Sequence, residues 1–279
     1  MLRIDAHQHF WQTSRSDYGW LTAETLPTIY RDFMPPDLSP LLQQCDIDRS
    51  VLVQCAQTVA ETEFLLDIAN NTPTVAAVVG WVNLEATDAA ETIAQLAEQK
   101  KLAGLRPMLQ DLPDDQWILR DGVKSAIQAM IEAGLRFDAL IFPRHLPVIQ
   151  RFLDNYSDLS VVIDHGAKPY IARGELQPWA EDMKTIATNS GAFCKLSGLA
   201  TEAQADWTAD TLKPYIDVLL ECFGPNRLMW GSDWPVLNLA GNYSQWFEVA
   251  QHLTASLSTS EKEQLFGGSA ARFYGIENN

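Results

Sequence analysis

Residues 3–9 read Arg-Ile-Asp-Ala-His-Gln-His, a short run that ends in two histidines one residue apart. Read as a strand, it places side chains two apart on the same side. If His7 points into a cleft, His9 does too, and their imidazoles can share one cation. Paired imidazoles suit zinc, nickel, manganese or iron. An HxH pair is common by chance, so its weight depends on the rest of the chain.

Working outward from that run, short apolar segments alternate with amphipathic ones. After 3–7, the strand candidates are 50–54 (SVLVQ), 76–82 (AAVVGWV), 104–108 (GLRPM) and 136–141 (RFDALI). They continue at 160–165 (SVVIDH), 192–197 (AFCKLS) and 227–232 (RLMWGS). Most are rich in Val, Ile, Leu and Phe, as strands covered on both faces should be. The fourth contains Pro107 and is included because the rhythm requires it. Helices are expected over 87–101, with Thr87 or Asp88 as N-cap and Ile93, Leu96 and Ala97 on one stripe, and over 120–134. Two more are expected around 179–190 and 209–223, with Gly134, Gly191 and Gly224 as left-handed stops after the last three. Eight strand–helix repeats predict a parallel sheet closed into a (β/α)₈ TIM barrel. The first strand lacks a following GxGxxG turn, which argues against a dinucleotide-binding open sheet.

The chain has 279 residues, a common size for one α/β barrel, and no linker or low-complexity segment divides it, so 1–279 is expected to be a single domain. Twenty Lys and Arg stand against 36 Asp and Glu, a formal charge of −16 that disfavours nucleic acid and anionic membrane surfaces as partners. Cys45, Cys55, Cys194 and Cys222 are dispersed without a CxxC pair. That usage, with no basic-then-apolar leader in MLRIDAHQHF, predicts a cytoplasmic protein. Cys55 and Cys194, in apolar segments, are expected to be buried. A homo-oligomer is compatible with the sequence but not legible in it.

Chemistry-bearing residues cluster at strand ends, where barrel enzymes carry function. Asp164-His165 closes the sixth strand and Ser232-Asp233 comes just after the eighth, which in a closed barrel abuts the first. A carboxylate at Asp233 can take a proton from water and return it to a leaving group. His165 joins it as a catalytic candidate. Lys168 is a candidate contact for a carboxylate or phosphate, against the plain reading of a solvated loop lysine. His145, in PRHLP after the fifth strand, is a candidate polar contact or ligand. Residues 10–36 form a long segment after the first strand, and its aromatics Trp11, Tyr18, Trp20 and Tyr30 are candidates to cover a ligand. Trp117 is a candidate to flank the pocket, and His252, in an amphipathic stretch, reads as a surface or packing residue.

Taken together, DAHQHFW (5–11), YGWL (18–21), GLRPMLQD (104–111), EAGLRFDAL (132–140), PRHLP (143–147), DHGAKP (164–169), CKLSGL (194–199) and LMWGSDWPV (228–236) resemble the amidohydrolase superfamily. The resemblance runs nearly end to end and points to the branch of sugar-lactone lactonases that includes fuconolactonases and rhamnonolactonases. It implies a barrel that hydrolyses a sugar-acid lactone at its C-terminal face, with His7, His9, His165 and Asp233 at the metal position. It also implies a substrate-contacting arginine at Arg106. The cofactor expected is one divalent cation, most simply zinc, or none. The chain departs from many members in having Cys194-Lys195-Leu196-Ser197 where a further metal-binding histidine stands and Arg106 where a bridging lysine or glutamate stands, which argues against two metals. Pro107 replaces a frequent histidine. The rival readings are a metal-dependent decarboxylase of an unsaturated acid, a lactonase of aromatic degradation, and a non-catalytic binding barrel.

Overall fold

The computed structural model describes residues 2–277. Eight strands lie in one parallel sheet in chain order: β1 (Ile4–Gln8), β2 (Arg49–Val53), β3 (Val75–Gly80), β4 (Leu102–Leu105), β5 (Arg136–Ala139), β6 (Val161–Ile163), β7 (Phe193–Leu196) and β8 (Leu228–Trp230). Between them run α1 (Pro35–Gln44), α2 (Val59–Asn71), α3 (Ala89–Ala97), α4 (Lys124–Glu132), α5 (Leu146–Asn155), α6 (Trp179–Asn189) and α7 (Ala209–Arg227). After β8 come α8 (Tyr243–Leu253), α9 (Thr259–Glu263) and α10 (Ser269–Tyr274).

The sheet closes at the seam between β8 and β1, through the end of β1 and residues just past β8. Asp233 N donates to His7 O and His9 N to Trp234 O, both at 2.8 Å. Asp5 locks the same seam, accepting from Ser232 N at 2.8 Å, Ser232 Oγ at 2.6 Å and Tyr243 OH at 2.9 Å. The protein is therefore a (β/α)₈ barrel, as the strand–helix rhythm predicts. One apolar layer of Val51, Val53, Ala77, Val79, Val162 and Met229 packs with Phe273 and Tyr274 of α10. A larger cluster joins the strands to the surrounding helices.

Some boundaries differ from those expected. The fourth strand is 102–105 rather than 104–108. Its last ladder bond is Arg106 N to Gly80 O at 2.9 Å, because Pro107 has no N–H to continue it. The third helix is shorter than expected, and Asp88 stands at its cap without a side-chain bond. Gly134 and Gly224 do adopt positive φ after or within their helices. Gly191 does not serve as a stop. Instead Ser190 ends α6, donating to Ile186 O at 2.7 Å and accepting from Ala192 N at 3.2 Å. Cys55 and Cys194 are buried, and all four cysteines are free. Among the described residues no helix is long and apolar enough to cross a membrane.

Candidate active site

The site lies where the C-terminal ends of the strands converge. The β1–β2 register shifts between Asp5 and Gln8, and His9 falls one residue past the strand. The two rings nonetheless converge, with centroids 4.9 Å apart. Asp5, two residues before His7, faces the seam instead. His165 and Asp233 both hold left-handed backbone, at φ 54 and 58. His165 begins a run of left-handed residues through Lys168. Such conformations cost non-glycine residues on the order of 1 kcal/mol each, and they cluster where side chains must be aimed. Two glycines make room for the histidines. A Cβ on Gly198 would lie 2.5 Å from His165 Nδ1, and one on Gly231 would lie 2.8 Å from His7 Cβ.

Hydrogen bonds fix how each ring is presented. His9 Nδ1 is 2.7 Å from Val53 O, which can only accept, so that nitrogen carries the proton and Nε2 is bare in the neutral ring. His165 Nδ1 meets Ser197 Oγ at 2.8 Å, leaving Nε2 directed at Asp233 Oδ1, 3.8 Å away. His7 Nε2 lies 3.2 Å from His9 Nε2 and 3.7 Å from Asp233 Oδ1, and His9 Nε2 lies 3.3 Å from the same oxygen. Burial pushes the His165 imidazole down to about 4. Burial and the Lys195 ammonium hold His7 well below the ordinary histidine range. Burial alone would raise Asp233, but His165, a hydrogen bond with His9, and His7 together hold it well below the carboxylate range.

A second cluster lies against the first. Lys195 is fully buried, with Nζ 2.5 Å from Asp138 Oδ2, 2.9 Å from Asp164 Oδ1 and 3.1 Å from His7 Nδ1. Tyr274 OH from α10 donates to Asp138 Oδ2 at 2.7 Å. Arg106 Nη1 lies 3.4 Å from Asp164 Oδ2 and 3.3 Å from His7 Nε2, while Nη2 donates to Gln54 O. The positive charges of Lys195 and Arg106 beside the ring disfavour a protonated His7. Asp138, Asp164 and Asp233 outnumber Lys195 and Arg106 by one charge.

His7 Nε2, His9 Nε2 and Asp233 Oδ1 are three potential ligand atoms that converge on one point. A tetrahedral zinc with bonds of about 2.0–2.1 Å spaces its ligands roughly 3.3 Å apart. The spacings of 3.2, 3.3 and 3.7 Å fit that ion, as does the surplus negative charge. His7, Asp164 and His165 form a second overlapping group of potential ligand atoms.

A cavity of about 280 Å³ opens above this floor. His9, Arg106, His165 and Asp233 line it, together with Lys168 and Trp20. Lys168 Nζ stands 3.8 Å from Glu202 Oε1. Trp11 and His145, both expected at the substrate, do not line this cavity. Trp11 is fully buried, donating to Arg31 O at 2.8 Å and packing edge-on against Trp20, because its place between β1 and Phe33 turns it into the loop's own core. His145 is buried between Phe142 N, at 3.1 Å, and Asp115 Oδ1, at 3.0 Å, where it ties two loops together. Tyr18 is buried, Tyr30 is exposed away from the cavity, and Trp117 lines a neighbouring groove. His252 is exposed.

The residues missed from sequence are Lys195 and Asp138. Their signal was present as charges inside strands that are otherwise apolar.

Barrel, strand-end histidines and terminal aspartate together fit a hydrolase of the barrel type. A family model described as amidohydrolase matches residues 4–276, and the chain belongs to that family. It is 47% identical over 279 residues to an L-fucono-1,5-lactonase of Burkholderia ambifaria, covering 99% of this chain and 96% of the relative. An L-fucono-1,5-lactonase of Burkholderia multivorans is 37% identical, with the same coverage of 99% and 96%. Among solved structures, an amidohydrolase from Burkholderia multivorans with bound zinc superposes with a TM-score of 0.93 at 36% identity, covering 99% of this chain and 100% of that one.

Proposed function

We propose that this enzyme hydrolyses a sugar-acid lactone to the open hydroxy acid, with L-fucono-1,5-lactone or a close relative as substrate. The observation that carries the reading is the convergence of His7 Nε2, His9 Nε2 and Asp233 Oδ1, of which His9 and Asp233 reach the floor of a cavity that also presents Arg106. The volume of about 280 Å³ is just below the range of about 300–1,000 Å³ usual for drug-sized ligands and suits a single sugar ring. The lactonases at 47% and 37% identity support the same substrate class. The family match over 4–276 supports reading the chain as one barrel domain.

His7, His9 and Asp233, with His165 adjacent, would hold one divalent cation, for which zinc fits best. When bound, such an ion lowers the pKa of a water and polarises a carbonyl. Asp233, held ionised, orients a water and accepts its proton as the water oxygen bonds to the lactone carbonyl carbon. Arg106 is placed to stabilise the charge that develops on the carbonyl oxygen. The bond from that carbon to the ring oxygen then breaks, and Asp233 returns the proton to the ring oxygen. Lys168, above the floor, is placed to receive the carboxylate of the product.

The test is acid release from a panel of sugar-acid lactones, monitored with a pH indicator, with evolved carbon dioxide measured in parallel on unsaturated acids. Rapid turnover of a 6-deoxyhexono-1,5-lactone without carbon dioxide release is expected. Silence on every lactone together with decarboxylation of an acid would overturn the reading.

A further inference from the structure

Glu61 is a fully buried carboxylate that the hydrolytic chemistry does not use. It sits in the first turn of α2, behind the N-cap Thr58, whose hydroxyl accepts from Glu61 N at 3.0 Å. Its two oxygens face opposite ways. Oε2 accepts from Tyr18 OH at 2.8 Å and lies 3.5 Å from Arg15 Nε, both in the segment after β1. Oε1 faces Cys55, 3.4 Å from Sγ and 3.5 Å from the backbone N. Arg15 is fixed further by Asp17 at 2.7 Å, and Asp17 by Thr58 Oγ1 at 3.2 Å.

The ring of contacts closes through Trp20. Its indole N–H donates to Cys55 O at 2.8 Å, so Glu61 holds Tyr18 on one side of Trp20 and the acceptor of Trp20 on the other. Trp11 supports the indole from beneath, with centroids 5.5 Å apart at 89°. Trp20 remains 37% exposed and lines the cavity beside His9, whereas Trp11 is wholly buried. A large indole held this firmly yet left open over polar catalytic groups has an unused apolar face. Sugar lactones present a C–H face of matching size.

We propose that Trp20 is a specificity-determining wall against which the C–H face of the lactone packs, and that Glu61 is the positioning residue that sets it there. This rests on the lactonase reading, and the two fail differently. If the wild-type protein turns over no lactone, the reading falls. If it does and Trp20 is irrelevant, only this proposal falls.

The test measures KM and kcat on the lactone that the wild-type enzyme turns over best. Trp20→Ala should raise KM about tenfold, the scale of one lost aromatic contact, with a smaller loss in kcat. Trp20→Phe should recover most of that loss. Glu61→Gln should raise KM severalfold, and this increment should vanish in the Trp20→Ala background, since the two residues act through one contact. Should Glu61→Gln fail to fold, Tyr18→Phe removes the hydrogen bond to Glu61 Oε2 and should show the same coupling. KM within twofold of wild type in Trp20→Ala, or an undiminished Glu61 or Tyr18 increment in the double variant, would overturn the proposal.

Discussion

Two buried polar clusters share the mouth of this barrel, and they are built in opposite ways. Around Lys195, charge is matched: its ammonium meets Asp138 at 2.5 Å and Asp164 at 2.9 Å, Arg106 stands 3.4 Å from Asp164 as the second cation, and Tyr274 donates a further bond from α10. Around Asp233, three potential metal ligands face one another. His7 and His9 approach through Nε2 at 3.2 Å, and His9 meets the carboxylate at 3.3 Å. A charge-balanced cluster is a structural element, whereas one short of a cation is a site. The balanced cluster also serves the other, because Asp164 and Lys195 both stand at His7 Nδ1 and hold that ring in place.

The comparison can be broken at either cluster. The largest effect is expected at Asp233→Asn, which keeps the shape but removes the base. Turnover of the lactone should fall about 10³-fold, measured as initial rates, with the melting temperature within a few degrees of wild type. Lys195→Met should act on stability first. Leaving buried Asp138 without its cation, and Asp164 with Arg106 alone, costs about 3–5 kcal/mol. In a chain of this size that is a fall in Tm on the order of 10 °C, read by calorimetry or circular dichroism. If Lys195→Met melted like wild type, the lower cluster would not be the structural element described. Ser197→Ala sharpens the contrast, since Ser197 bonds neither Asp233 nor Lys195 and the change only frees the His165 ring. Partners of this kind are typically worth 10–100-fold, so kcat should fall within that range while Tm moves little.

How much is legible in the sequence depends on how local each signal is. HxH at 7–9, DH at 164–165 and SD at 232–233 each stand at a strand end, so the strand rhythm alone brings them to one face. The β4 boundary was displaced because a proline inside an apolar run reads as strand by composition, while the missing N–H at Pro107 ends the ladder. Lys195 and Asp138 were passed over because a lone charge in a strand has meaning only once its partner is known, and they are 57 residues apart. Within residues 10–36 no period separates the buried side from the exposed one. Trp11 and Trp20 are alike in sequence, and only packing against Phe33 and Cys55 makes one core and the other wall. His145 was misplaced for a similar reason: its neighbour Asp115 comes from another loop.

The most direct test of the distinction between the two clusters is a calorimetric titration of chelator-treated protein with zinc. One ion per chain should bind, and His9→Ala should weaken or abolish that binding while His145→Ala leaves it in place. Binding of no ion, or an isotherm unchanged by His9→Ala, would contradict the account.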